Sequence, residues 1–305
     1  MLLPLSKQYV RLIMLAVSVC GVVILFVSTK NYLEGFNVRR KGPLTTTQAT
    51  FRQLYSTSNV MYGAGNQSSN DQDIVDDIRS QISKPSPNQP RKLARPHITD
   101  ASQVGQSAFV DKILSGRRNG FFIECGAVNG ETYSNSLFFE LQRNWTGLLI
   151  EGNPRYHRSM LKKNRRAYML NACLSTEQRP MTVRFRSRGL LSGIVGKIHG
   201  KMRGRDVTVK CFPLNSIMEA LGVSHVDYLS LDVEGPELEI LRTVDFTRLR
   251  IDIMTVEYRM GPINLNLKKL NDLRQFFRDT GIYREVGVLP KVNESVGLDV
   301  IFSRV

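Results

Sequence analysis

The chain has 305 residues, 42% of them hydrophobic, and a formal net charge of +15 from 42 Lys and Arg against 27 Asp and Glu. This is room for one ordinary domain with extra segments, and its four cysteines are too few for a disulfide-dense secreted module. The charge suits an anionic surface, yet the basic residues are not interleaved with aromatics as a stacking platform needs, so no nucleic-acid partner is expected.

Leu12–Ser28, LIMLAVSVCGVVILFVS, carries no charge and is apolar on every face. At helical rise it spans roughly 26 Å, short for a plasma membrane but close to early secretory membranes. It is longer than the core of a cleaved signal peptide, and Val27-Ser28-Thr29 is a poor cleavage site. A transmembrane signal-anchor is therefore expected over residues 12–29, behind a short tail of residues 1–11. Its orientation stays open. Lys30, Arg39, Arg40 and Lys41 follow the run and Lys7 and Arg11 precede it, which puts the C-terminal side in the cytosol if taken literally; a short N-terminal tail favours the reverse.

Residues 30–100 read as a flexible polar stalk, rich in Ser, Thr, Asn, Gln and Pro, with KPSPNQPRKLARP from Lys84 to Pro96. Such a segment buries too little surface to offset its ordering entropy; within it Asp71–Ile82 reads as a transient helix. Sequons at Asn66, Asn144 and Asn293 are about as many as chance supplies and do not fix a compartment.

The composition changes at Ala101, and residues 101–305 read as one folded domain. Val104–Leu114 is predicted helical. Phe121–Ile123 is a buried strand running into a glycine-bearing loop, with a helix opening near Glu131–Asn135 and continuing to Gln142. Then come a strand at Thr146–Ile150, a helix at Pro154–Lys163 and a strand at Ala167–Ala172. Thr182–Phe185 and Val207–Phe212 read as an antiparallel pair around a basic, glycine-rich loop, Arg186–Arg205. Leu214–Leu221 (helix), Tyr228–Leu231 (strand), Pro236–Thr243 (helix), Ile251–Val256 (strand) and Leu267–Thr280 (helix) follow. Tyr283–Val286 and Leu298–Phe302 close the chain as strands. Alternating strands and helices call for a mostly parallel α/β sheet covered on both faces. The last two strands, with no helix between them, predict a terminal antiparallel pair. That pair distinguishes a methyltransferase-type Rossmann sheet from a dehydrogenase-type one.

Glu124, Glu151, Asp232 and Glu257 each stand at or just past the end of an apolar strand. In a parallel sheet those ends share one edge, so the four carboxylates are expected to line one crevice. Glu124-x-Gly126-Ala127-x-x-Gly130 fits a loop that lets backbone approach a nucleotide-like ligand, although a tight turn under a sheet looks the same. Glu151 lies one strand–helix–strand unit beyond Gly126, where an acid can accept hydrogen bonds from ribose hydroxyls. In Asp232-Val233-Glu234-Gly235-Pro236-Glu237, proline and the later acids suit a helix start. Asp232 and Glu234, before that helix, can ligate a hard cation or take a proton from a substrate hydroxyl. No Cys/His spacing suggests zinc, and no metal-ligand set is assigned. The histidines form no constellation, and Trp145 reads as a packing residue. One bridge, such as Cys173–Cys211, is compatible with an oxidising compartment, and the sequence leaves it undecided.

The motifs Glu124-x-Gly126-Ala127-x-x-Gly130, LLIEGNP around Glu151, Asn171-Ala172 and LSLDVEGPELEIL from Leu229 to Leu241 resemble the FkbM family of S-adenosylmethionine-dependent methyltransferases. The likeness covers about Phe121 to Phe302. The wording FIECGAVNGETYSNS, with an N-terminal anchor and polar stalk, is similar to the membrane-anchored Star group. The resemblance implies that Gly126, Ala127 and Gly130 form the methionine-side loop, with Glu124 near the cofactor's amino group. It places Glu151 on the ribose, Asn171 near the adenine, and Asp232 and Glu234 on the methyl-transfer side. It further implies a type II single-pass protein of the endoplasmic reticulum and Golgi, extending to endosomes, that acts on protein cargo of the secretory pathway such as growth-factor precursors, and so on EGF receptor signalling. Two alternatives stand beside this: an active membrane-tethered O-methyltransferase, and a stalked binding module without catalysis.

Overall fold

The computed structural model of the chain describes residues 69–86, 88–187, 192–197, 205–259, 261–290 and 297–305. The expected anchor over 12–29, the stalk up to residue 68 and much of the basic loop lie outside the described residues. Among the described residues no helix is long and apolar enough to cross a membrane.

The strands Phe121–Cys125 (β1), Thr146–Ile150 (β2) and Tyr168–Leu170 (β3) form one half of a parallel sheet. They are followed by two short strands and a hairpin: Cys173–Leu174 (β4), Met181–Ser187 (β5), Gly193–Ile194 (β6) and Arg205–Phe212 (β7). The second half of the main sheet is His225–Leu231 (β8), Arg250–Glu257 (β9), Tyr283–Leu289 (β10) and Asp299–Arg304 (β11). The strand order is β10-β11-β9-β8-β1-β2-β3 in a seven-stranded sheet. β11 runs antiparallel to both β9 and β10, so the expected terminal pair is present. The small sheet has the order β4-β7-β5-β6, and its β5–β7 pair is the antiparallel pair expected from the sequence. β6 falls inside the segment expected as an irregular loop; Phe185 pairs with Ile194 and extends the small sheet by one short strand.

Helices cover both faces. Ser69–Gln81 (α1), Leu214–Leu221 (α5), Glu237–Leu241 (α6) and Ile263–Thr280 (α7) pack on one. Gln106–Ile113 (α2), Leu137–Gln142 (α3) and Pro154–Leu161 (α4) pack on the other. Alternation along β1 sends Ile123 and Cys125 to the first face and Phe122 to the second. Glu124 follows Phe122 in that alternation, which explains why a carboxylate at 3% exposure lies on the α3 side.

Residues 69–100, expected as the far end of a flexible stalk, are instead packed on the domain. Val75 and Ile78 of α1 join the main core, and Ile78 is fully buried. Ser83 exchanges backbone hydrogen bonds with Met169, and Lys92 N donates to Lys163 O at 2.8 Å. Both oxygens of Glu131 accept from this segment, from Ala94 N at 2.8 Å and Arg95 N at 2.7 Å. Ordering so polar a stretch is offset by a few apolar anchors and by a buried acid that satisfies its backbone donors.

The helix expected to open at Glu131–Asn135 begins only at Leu137. The preceding groups are occupied elsewhere: Glu124 accepts from Ser134 Oγ at 2.8 Å, from Asn135 N at 2.8 Å and from Ser136 Oγ. Arg165, with 0% exposure, closes the network from below. Its guanidinium donates to Glu140 Oε2 at 2.6 Å, to Ser136 Oγ at 3.1 Å and to Gly130 O. Burial alone would raise the Glu140 carboxyl. The Arg165 charge, with help from the Arg166 N–H and Arg91, holds it below the ordinary range instead.

Removing one member of such a pair leaves a buried charge unpaired. Arg165→Met is expected to lower the unfolding free energy by about 3–5 kcal/mol, read from the urea midpoint at constant slope. Arg179→Met, at an exposed pair with Glu177, is expected to leave the midpoint unchanged.

Candidate functional site

A cavity of about 370 Å³ opens at the carboxyl ends of β1, β2, β8 and β9, within the size range of small-molecule sites. It lies where strand order reverses, with β1 between β2 and β8, the usual ligand position in an open parallel sheet. The small sheet supplies another wall through Cys173, Phe185 and Ile194, and residues Cys173 and Cys211 of β4 and β7 form a disulfide.

Of the residues singled out from the sequence, Glu124, Gly126, Glu151, Asp232, Glu234 and Glu257 line this cavity. The four strand-end carboxylates therefore share one crevice. Ala127, Gly130 and Asn171 stand behind the lining. Ala127 is buried in the second core cluster, and a Cβ on Gly130 would meet Met160 Cγ at 2.9 Å. Asn171 Nδ2 donates to Glu151 O at 2.7 Å, so its amide braces the chain that carries Glu151.

Glu151 is 4% exposed. Val128 N donates to its Oε2 at 2.7 Å and Asn153 N to its Oε1 at 2.6 Å. Each oxygen keeps a second acceptor position. Burial, reinforced by the Asp232 charge, pushes this carboxyl up to about 7 against the two N–H donors. Val128 has φ 50°, a left-handed conformation that costs a β-branched residue about 1–3 kcal/mol. That turn aims its N–H at Glu151. Sequence patterning gives no sign of Val128, Asn153 or the wall residue Tyr156; only the sharp strand-to-helix turn after Ile150, with Pro154 at the helix start, points toward Asn153 as a cap.

On the other side, Asp232, Glu234 and Glu257 approach closely, with one ligand oxygen from each within 4.8 Å of the others. Burial pushes Asp232 up to about 6, with the Glu237 charge adding to it, and Glu234 up to about 8, with Asp232 adding to it. Burial likewise raises Glu257 well above the carboxylate range, and Asp299 to about 7. Glu237 itself is paired with Lys269 and accepts from Val233 N and Gly235 N, so it anchors the Asp232–Gly235 turn. Two strand ends meet at Gly126, whose φ is +82° and whose Cβ position lies 1.9 Å from Asp232 O. Glu124 lines the same cavity, but both its oxygens are engaged by residues 134–136.

The sequence profile of the methyltransferase FkbM domain matches residues 124–283. Similar solved structures include methyltransferase FkbM from Methylobacillus flagellatus KT, 13% identical over 66% of this chain with a TM-score of 0.43. This chain covers about half of that one, 48% of its length. An Aeropyrum pernix fibrillarin with natively bound S-adenosyl-L-methionine is 12% identical over 70% of this chain and 87% of its own, with a TM-score of 0.37. An O-methyltransferase from Bacillus cereus in complex with SAH is 10% identical over 84% and 97%, with a TM-score of 0.39. No match was found among curated proteins.

The closeness at Gly126 has a measurable cost. Gly126→Ala adds a Cβ against the Asp232 carbonyl and is expected to destabilise the fold by more than about 2 kcal/mol in urea titrations. Gly222→Ala has a similar positive φ but meets nothing within 4 Å, and is expected to cost only about 1 kcal/mol.

Proposed function

This chain belongs to the methyltransferase FkbM domain family, and from that premise we propose that its folded part binds S-adenosylmethionine and transfers a methyl group to a hydroxyl acceptor. The observation that carries the reading is Glu151: a buried carboxylate at the strand-order switch, fixed by two backbone N–H groups, with acceptor positions left over for two ribose hydroxyls. The residues present fit the cofactor in two further respects. Gly126 lets the β1 loop pass close to β8, and Asn135 Oδ1, buried and without a partner among the described residues, belongs to the cavity lining.

In this reading Glu151 holds the ribose and the 126–130 loop backs the methionine side, with Glu124 keeping that loop's far end in place. Ala127 and Gly130 act by packing, and Asn171 by bracing Glu151. Bound S-adenosylmethionine supplies an electrophilic methyl on a positively charged sulfur. Asp232 and Glu234 face the acceptor. Their raised proton affinities suit them to take the acceptor's hydroxyl proton near neutral pH, and the cavity walls align acceptor and donor.

A second reading concerns location and biological role. The apolar run at Leu12–Ser28 supports a membrane tether, and the Cys173–Cys211 disulfide favours an oxidising compartment. Together they support a type II protein with its domain in the secretory lumen, resembling the Star group and acting on membrane cargo of that pathway. Protease treatment of sealed microsomes tests it: the domain should be protected, and a digested domain would place it in the cytosol.

The cofactor reading is tested by calorimetric titration with S-adenosylmethionine. Binding should be lost in Glu151→Ala while the fold, followed by circular dichroism, is kept. The pH dependence has a fixed sign. The ionised form of Glu151 accepts from ribose, so affinity falls as pH drops through about 7. Between pH 8 and pH 6 the ionised fraction, and with it the affinity, should fall by about tenfold, and this step should be absent in Glu151→Gln.

A further inference from the structure

We propose that Asp232, Glu234 and Glu257 form a binding site for one hard divalent cation of the magnesium, manganese or calcium class. Oxygen ligands around such an ion stand about 3–5 Å apart at metal–oxygen distances of 2.0–2.6 Å, and the three carboxylates here offer one oxygen each, all within 4.8 Å of one another. Asp232 and Glu257 stand at the ends of the adjacent strands β8 and β9, and Glu234 stands in the turn after β8 that Glu237 anchors.

Acidic side chains often cluster without holding an ion, and two features set this cluster apart. Glu257 is nine-tenths buried, and its Oε2 is inaccessible and has no hydrogen-bond partner among the described residues. Asn135 Oδ1 is a second buried oxygen in the same condition, on a residue that lines the same cavity. Buried acceptors are almost always satisfied, so two in one cavity call for a donor or cation from outside the chain. Lys269 pairs with Glu237 and its charge also acts on Asp232, Glu234 and Glu257, but among the described residues no ion pair joins a basic side chain to any of the three.

The contrast with a second group, of one histidine and two acids, is informative. His225, Asp227 and Asp252 also lie within 4.8 Å of one another. There the cationic positions are filled by the protein: Arg117 donates to Asp252 at 2.7 Å and also binds Asp227, and Arg250 donates to Asp252 at 2.8 Å. Among the described residues no arginine is bonded to the Asp232 group, although Arg259 lines the same cavity. Its all-oxygen donor set favours a hard ion over zinc or copper. Three protein ligands leave positions for water or an acceptor oxygen, and a hydroxyl bound there would be more acidic than in water.

The cation site does not depend on the methyl-donor reading, and its test uses no S-adenosylmethionine. Detergent-purified full-length protein is titrated with MnCl2 and followed by electron paramagnetic resonance, with MgCl2 and CaCl2 as competitors. The expected result is one Mn2+ per chain, displaced by one of the competitors. Affinity should weaken by at least about tenfold in Glu257→Gln and in Glu234→Gln, and stay unchanged in Glu177→Gln, an exposed acid elsewhere. Thermal melts provide the second readout. Metal should raise the melting temperature of the parent protein, while Glu257→Gln, which replaces a buried carboxyl whose Oε2 has no partner among the described residues, should melt close to the parent without metal and gain nothing from it. Absence of Mn2+ binding at about 1 mM by folded protein, or equal binding in the parent and both variants, would overturn the proposal.

Discussion

A guanidinium with no access to water holds this fold's functional edge in shape. Arg165 reaches from the segment before β3 to Glu140 on α3, to the Gly130 carbonyl and to Ser136. Ser134 and Ser136 pass the chain of contacts on to Glu124 at the end of β1. Burying so many polar groups is tolerable only because every member has a partner. The gain is geometric. The loop between β1 and α3, which has non-glycine residues with positive φ at Val128 and Tyr133, is pinned at both ends and presents its N–H groups in fixed directions. Glu151 is oriented by one of them, so the placement of a carboxylate just past β2 traces back to an arginine beyond α4.

The acids of this chain sort into two populations by their surroundings. Glu131 and Glu140 are surrounded by donors and basic side chains, and their carboxyls lie below the ordinary range despite burial. Glu151, Asp232, Glu234, Glu257 and Asp299 are buried with too little positive charge around them, and theirs lie above it. The first group holds segments together. The second group gathers at one sheet edge, where a perturbed carboxylate is of chemical use. Although the chain is strongly basic overall, the cavity lining holds five acids, Glu124, Glu151, Asp232, Glu234 and Glu257, against one basic residue, Arg259.

Much of this was legible in the sequence because parallel strands buried on both faces read as continuous apolar runs. Phe121–Ile123, Thr146–Ile150, Tyr228–Leu231 and Ile251–Val256 all stand out in that way, and acids at their ends must share an edge. Less legible was anything settled by a distant partner. Ser134, Asn135 and Ser136 look like a helix start, and only the carboxylate of Glu124 makes them a loop. Arg165 sits in Lys162-Lys163-Asn164-Arg165-Arg166, where nothing local distinguishes the buried residue from its solvated neighbours. Residues 69–100 have the composition of a linker, and their order comes from Ile78, Val75 and an acid that belongs to another part of the chain. Val128 is a β-branched residue in a conformation that patterning assigns to glycine.

The docking of residues 69–100 also determines how the domain would carry a mechanical load applied from its N-terminal side. From α1 to Arg95 the attachments occur in sequence order: the apolar face of α1, the Ser83–Met169 bridge, Arg91 on Glu140, Lys92 on Lys163, and the two N–H groups on Glu131. Tension would break them one at a time, as in peeling, rather than all together, as in shear. Peeling needs little force at each step and dissipates work along the way. A pull from that side would therefore be spent first on α1, and only last on the Glu131 contacts of the loop that shapes the cavity.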